Sequence, residues 1–173
     1  MRFFQEQSTN GFFRLFPPPQ YLRMDAVGID MSDHSVRFIE FKERRGKKVL
    51  GRFGQREIPD GVLSYGNIKD KKKIVGILSG LALDERISFV RCSLPEEKAY
   101  LFKTSVPALS PEETRDNIAF KLEENVPLSV ADAIFDYVFL PSQEKGDADR
   151  EAVVSVFPRS VVEEYLSMYR DSG

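Results

Sequence analysis

The chain has 173 residues, 42% of them hydrophobic and 30% charged, with a net charge of −2. That suits a globular protein burying one core or two small ones, and it lacks the overall positive field that favours nucleic acid or an anionic bilayer. The single cysteine, Cys92, excludes an internal disulfide framework; no apolar run approaches the ~20 residues of a membrane span, and no secretory apolar core opens the chain, so a reducing cytoplasm is expected.

Residues 1–25 read as an aromatic and proline-rich tail. Phe3, Phe4, Phe12, Phe13, Leu15 and Phe16 precede Pro17-Pro18-Pro19, which stops a helix and extends the chain. Such rings suit a membrane interface or a partner; the expected arrangement is a tail laid along the body, which takes them out of water.

From Ala26 the order is strand, strand, strand, helix, strand. Val27 to Phe41 reads as a strand, a tight polar turn and a second strand, with Ser35 to Lys42 rich in β-branched and aromatic residues. Arg44-Arg45-Gly46-Lys47 is a hairpin turn, Val49 to Phe53 continues the meander, and Pro59-Asp60-Gly61 breaks it. Between Asp70 and Leu83, Ile74, Ile77, Leu78 and Leu81 recur at helical spacing, with Asp70 or Asn67 as the cap. Ile87 to Leu94 is expected to be an apolar strand covered on both faces, which makes Cys92 a buried, inert thiol.

The middle of the chain has its own rhythm. Lys98 to Val106 is a strand ended by Pro107, and Ser110-Pro111-Glu112-Glu113 is a capping box with proline in the first turn. Ile118, Leu122 and Val126 then lie four apart on one helical face, while Glu112, Asp116, Glu123 and Glu124 face water. Pro127 ends the helix, Ile134 to Leu140 is a strand, and Gln143 to Asp149 is a polar loop. The apolar run Ala152 to Phe157 and a helix opened by Pro158, with Val161, Val162, Tyr165, Leu166 and Tyr169 as its stripe, are expected to return to the first unit.

Several short segments carry a likeness. Val27-Gly28-Ile29-Asp30, Ser35-Val36-Arg37-Phe38-Ile39-Glu40, Ile58-Pro59-Asp60-Gly61-Val62, Gly66-Asn67-Ile68-Lys69-Asp70, Ser93-Leu94-Pro95-Glu96-Glu97, Glu123-Glu124-Asn125-Val126-Pro127-Leu128 and Phe135-Asp136-Tyr137 occur in that order. Together they resemble the PilM family, actin-like cytoplasmic proteins of type IV pilus assembly, themselves similar to the cell-division protein FtsA. The resemblance implies a mixed α/β fold, an actin-like (ribonuclease H-like) half with a small strand-helix-strand insert. Residues 26–98 and 149–173 would be subdomain 1A, and residues 99–148 the inserted subdomain 1C.

The same resemblance implies two candidate sites. One is a remnant of the first phosphate turn, made of Asp30, Ser32, Asp33 and Ser35. Ser32 and Asp33 stand where the fold expects a glycine and a hydroxyl residue; Ser32 crowds the turn, and the Asp33 carboxylate repels phosphate by about 1 kcal/mol in exposed surroundings. Full-length relatives hold ATP and magnesium with a second lobe, so no cofactor and no catalysis are expected in this chain. The second site is a groove between the two subdomains that takes the cytoplasmic tail of a PilN-like inner-membrane protein. Leu94, Pro95, Tyr100 and Phe102 are its candidate wall, with a purely core role equally open for each. The implied role is an adaptor, cytoplasmic and peripheral at the inner membrane, which touches the membrane only indirectly; self-association stays open.

Other readings have less behind them. An actin-like ATP-binding protein or an FtsA-like division protein is the alternative, but a kinase or ATPase needs a complete phosphate turn and a base, and the lone His34 beside Asp33 is expected to be solvated. One His and one Cys do not make a zinc site. Arg44-Arg45-Gly46-Lys47-Lys48 and Lys69 to Lys73 lack interleaved aromatics, so no nucleic-acid partner is expected.

Overall fold

Short-range chemistry sets the first elements. The computed structural model describes residues 26–141 and 149–173; the aromatic tail and most of the polar loop expected at 143–149 lie outside them. Strand β1 (Val27–Ser32) and strand β2 (Ser35–Arg44) are antiparallel and joined by Asp33-His34, with Ser32 opposite Ser35. Strand β3 (Lys47–Glu57) pairs along β2. The β2–β3 turn is Arg45-Gly46, both at positive φ (52° and 73°). That left-handed pair matches the twist of two-residue hairpins, and glycine takes it without strain.

Among the described residues the first compact unit comprises residues 26–95 and Met168–Gly173. Its main sheet has the order β3-β2-β1-β6, where β6 (Val90–Cys92) runs parallel to β1. Between them in sequence come a two-residue pair, β4 (Leu63–Ser64) with β5 (Asn67–Ile68), and helix α1 (Lys71–Glu85). Asp70 caps α1, accepting from the Lys73 N–H at 3.0 Å; Asn67 instead donates to the Ser64 and Tyr65 carbonyls. Val27, Ile29, Val36 and Phe38 point to one face by the strand period of two, and Ile74, Leu78 and Leu81 form the buried stripe of α1. Ile77 is only half-buried.

The second compact unit is Glu96–Ser167. Its antiparallel sheet has the order β7-β9-β8, from β7 (Tyr100–Pro107), β8 (Ala133–Phe139) and β9 (Asp149–Pro158). Helix α2 (Pro111–Asn125) starts on the full capping box, with Ser110 Oγ accepting from the Glu113 N–H and the Glu113 carboxylate accepting from the Ser110 N–H. Ile118, Leu122 and Val126 bury against Val106, Phe135, Ala152, Val154 and Val156, with Phe102, Tyr137 and Phe139 packed at the margin. Helix α3 is Arg159–Asp171.

Three expectations are corrected here. The run at 152–157 does not rejoin the first sheet; β9 is the central strand of the second one, and the chain re-enters the first unit only at Met168. A continuous apolar strand is compatible with any sheet that covers it, and here α2 supplies the cover. The strand expected at 87–94 is only three residues long, and Val90 and Arg91 are exposed, because β1 is its single partner among the described residues. On α3 the buried positions are Tyr165 and Met168, while Leu166 is exposed.

Candidate functional site

The turn between β1 and β2 is stitched from its own side chains. Ser32 Oγ lies 3.2 Å from Ser35 Oγ and 3.3 Å from the Ser35 carbonyl. Asp33 reaches away from the turn, its carboxylate accepting from the Tyr65 N–H at 2.8 Å and the Gly66 N–H at 3.5 Å. Those two residues form the β4–β5 turn and both have positive φ, 50° and 68°. Asp33 therefore clamps one turn to another. Asp30 is exposed and accepts from Ser93 Oγ at 2.6 Å, tying the end of β1 to the segment after β6.

Tested against a phosphate group, this arrangement does not fit. The hydroxyls that a phosphate turn would present are turned to each other, and the Asp33 carboxylate occupies the backbone donors of the neighbouring turn. His34 Nδ1 sits 3.4 Å from Asp60 Oδ1 with both side chains largely in water, so no relay with Asp33 forms. Among the described residues no group of three or more His, Cys, Asp or Glu side chains gathers to hold a metal. Cys92 is half-buried, and burial pushes its thiol pKa up, which suppresses the reactive thiolate.

The second set flanks the passage from one unit to the other. Leu94 and Pro95 are half-buried after β6, and a short 3-10 turn, Glu96–Lys98, leads into β7. Tyr100 is 40% exposed at the start of β7, whereas Phe102 packs against the core of the second unit. Leu101, which sequence reasoning passed over, is more exposed than either, at 69%. Among the described residues β7 pairs only with β9; the Ser105 carbonyl accepts from Lys121 Nζ of α2, and the Leu101–Lys103 stretch of the other edge has no strand partner.

Two further features were missed at the level of sequence. Among the described residues β2 pairs with β3 alone past Ile39, and a bulge separates Ile39 from Phe41. At the root of this ribbon Arg52 donates to Glu40 through Nε and Nη2, both at 3.0 Å, and its Nη1 donates to the Glu85 carbonyl at the end of α1. Bonding to Arg52 holds the Glu40 pKa down to about 2. Gly51 leaves the room: a Cβ there would lie 2.9 Å from Glu40 Oε2. The other missed feature is the open face of the first sheet, where Gly28, Arg37, Ile39, Leu50, Phe53 and Arg91 border a shallow cavity of about 650 Å³. The alternation of Arg37, Ile39 and Phe41 was the available signal for it.

Known proteins share this architecture. The family model for type IV pilus assembly protein PilM matches residues 28–172. A solved PilM-PilN type IV pilus biogenesis complex is similar with a TM-score of 0.76 and 18% identity, over 87% of this chain and 45% of that one. The cytoplasmic domain of EpsL, an inner-membrane component of the type II secretion system of Vibrio cholerae, is similar with a TM-score of 0.52 and 12% identity, over 87% of this chain and 54% of that one. The chain thus spans about half the length of these structures. No curated protein sequence matches it. The structural likeness gives the fold, the actin-like fold of PilM, and the family model covers nearly all of the described residues: the chain belongs to the type IV pilus assembly protein PilM family.

Proposed function

We propose that this chain is a non-catalytic adaptor in the assembly of a type IV pilus or a related secretion system, and that it grips the cytoplasmic tail of a PilN-like inner-membrane protein. In this reading it is a cytoplasmic protein, peripheral at the inner membrane, and its two units correspond to subdomains 1A and 1C of the family. The observation that carries the reading is the open edge of β7, headed by Tyr100 and Leu101, on a chain of the PilM family. An unpaired strand edge offers main-chain donors and acceptors to an extended peptide, and alternate side chains supply its pockets. Leu94, Pro95, Tyr100 and Phe102 are the proposed contacts. The likeness to a complex of PilM with PilN supports the choice of partner. The turn at Asp30, Ser32, Asp33 and Ser35 is proposed as structural, without nucleotide chemistry.

Titration of a synthetic PilN-type tail against the purified chain tests this. Tyr100→Ala is expected to weaken binding at least tenfold with the melting temperature unchanged, since the ring is exposed. Phe102→Ala needs a melting curve beside it, because the ring also serves the core. Wild-type affinity in a folded Tyr100→Ala variant would remove that residue from the site; no binding of any such tail would remove the adaptor reading.

A further inference from the structure

We infer that the overhanging tip of the β2–β3 ribbon is a docking site for an anionic lipid surface. In the adaptor reading the chain reaches a membrane only through its partner; this contact would be direct and does not depend on that partner.

Among the described residues the ribbon has no third strand beyond Ile39. Five further residues of β2 and six of β3 carry it roughly 15 Å or more past the sheet. From Lys42 to Lys48 the sequence supplies five cations, Lys42, Arg44, Arg45, Lys47 and Lys48, and one acid, Glu43. Lys42 is shared with Glu40 at the root; the other four cations are exposed. A chain of net charge −2 thus concentrates positive charge at one extremity.

Two details argue that an external anion completes the tip. Arg44 and Lys47 sit directly opposite each other across the ribbon, a like-charge pairing that costs folding stability and is relieved when an anion lies over both. An apolar side chain accompanies the cations: on the ribbon face of Arg44 and Lys47, Val49 is opposite Lys42 and 38% exposed, while the Phe41–Leu50 pair, 56% and 54% exposed, lies on the other face with Glu43 and Lys48. A duplex backbone offers nothing for these groups, whereas a bilayer interface takes charges at headgroup level and apolar side chains a few ångströms deeper. The root is braced by the Arg52 bonds to Glu40 and to the end of α1, so the tip is held out from the body.

Co-sedimentation of the full chain with vesicles tests the inference, without any partner peptide present. One set is pure phosphatidylcholine and the other contains about a third phosphatidylglycerol. Binding is expected only to the second set, to fall steeply as salt is raised from 50 to 500 mM, and to drop at least about twentyfold in Arg44→Glu/Lys47→Glu, each removed cation being worth roughly a factor of five and each added carboxylate being repelled as well. That double variant keeps a like-charge pair across the turn, so its stability is matched to the parent and a melting curve confirms it. Val49→Ser is expected to weaken binding with the salt dependence retained. Failure to bind anionic vesicles, equal binding to both vesicle sets, or undiminished binding by a folded double variant would overturn the inference. So would tighter capture of a single-stranded oligonucleotide through the same cations. None of these outcomes touches the peptide titration at Tyr100, so the two proposals fail separately.

Discussion

Glu40 keeps its charge deep into acid because Arg52 holds both of its oxygens. Protonating it requires giving up those bonds, so its folded pKa is about 2 against an ordinary 4.5. The contribution is present above the unfolded pKa and is lost as pH falls through the folded one, a window from about 4.5 down to about 2. Arg52 is 38% exposed, so solvent screens part of the effect. Urea melts across pH 7 to 2 are expected to show wild type more stable than Glu40→Gln at neutral pH, with the gap closing through that window. A gap that does not vary with pH would refute the assignment. Neither this clamp nor the role of Asp33 was readable along the chain: Glu40 and Arg52 are twelve residues apart, and Asp33 reaches its donors at Tyr65 and Gly66 thirty-two and thirty-three residues on.

Among the elements, helix α2 was the most legible and β6 and β9 the least. A capping box is a local device, its donors and acceptors three residues apart, so Ser110 and Glu113 announce the start of the helix wherever the helix goes. Its two stabilising parts separate experimentally. Ser110→Ala is expected to cost about 1 kcal/mol, and Leu122→Ala, a fully buried leucine, about 2–5 kcal/mol, both read from denaturant midpoints at constant slope. Equal small losses would mean that α2 is not packed as described. The sheet membership of β9 was not legible, because alternation at Ala152, Val154 and Val156 specifies a buried face and names no neighbour. The shortness of β6 was hidden for a similar reason: apolar residues at 87–94 look like a covered strand, while cover is a property of what lies alongside.

For the whole molecule the ordered family segments made the fold legible, while the reading of the turn at Ser32 and Asp33 as structural stays a proposal. Calorimetric titration of the chain with ATP and magnesium is accordingly expected to show no micromolar binding, and a magnesium-dependent heat at that affinity would reverse the proposal. Among the described residues no helix is long and apolar enough to cross a membrane. The order β7-β9-β8 bears on how the chain is made as well as on what it binds. Strands β7 and β8 never touch through their backbones; each waits for β9, which leaves the ribosome last of the three and slides between them. Until residue 158 has emerged, a nascent chain carries two unpaired strand margins and a half-covered helix, the kind of surface that invites aggregation.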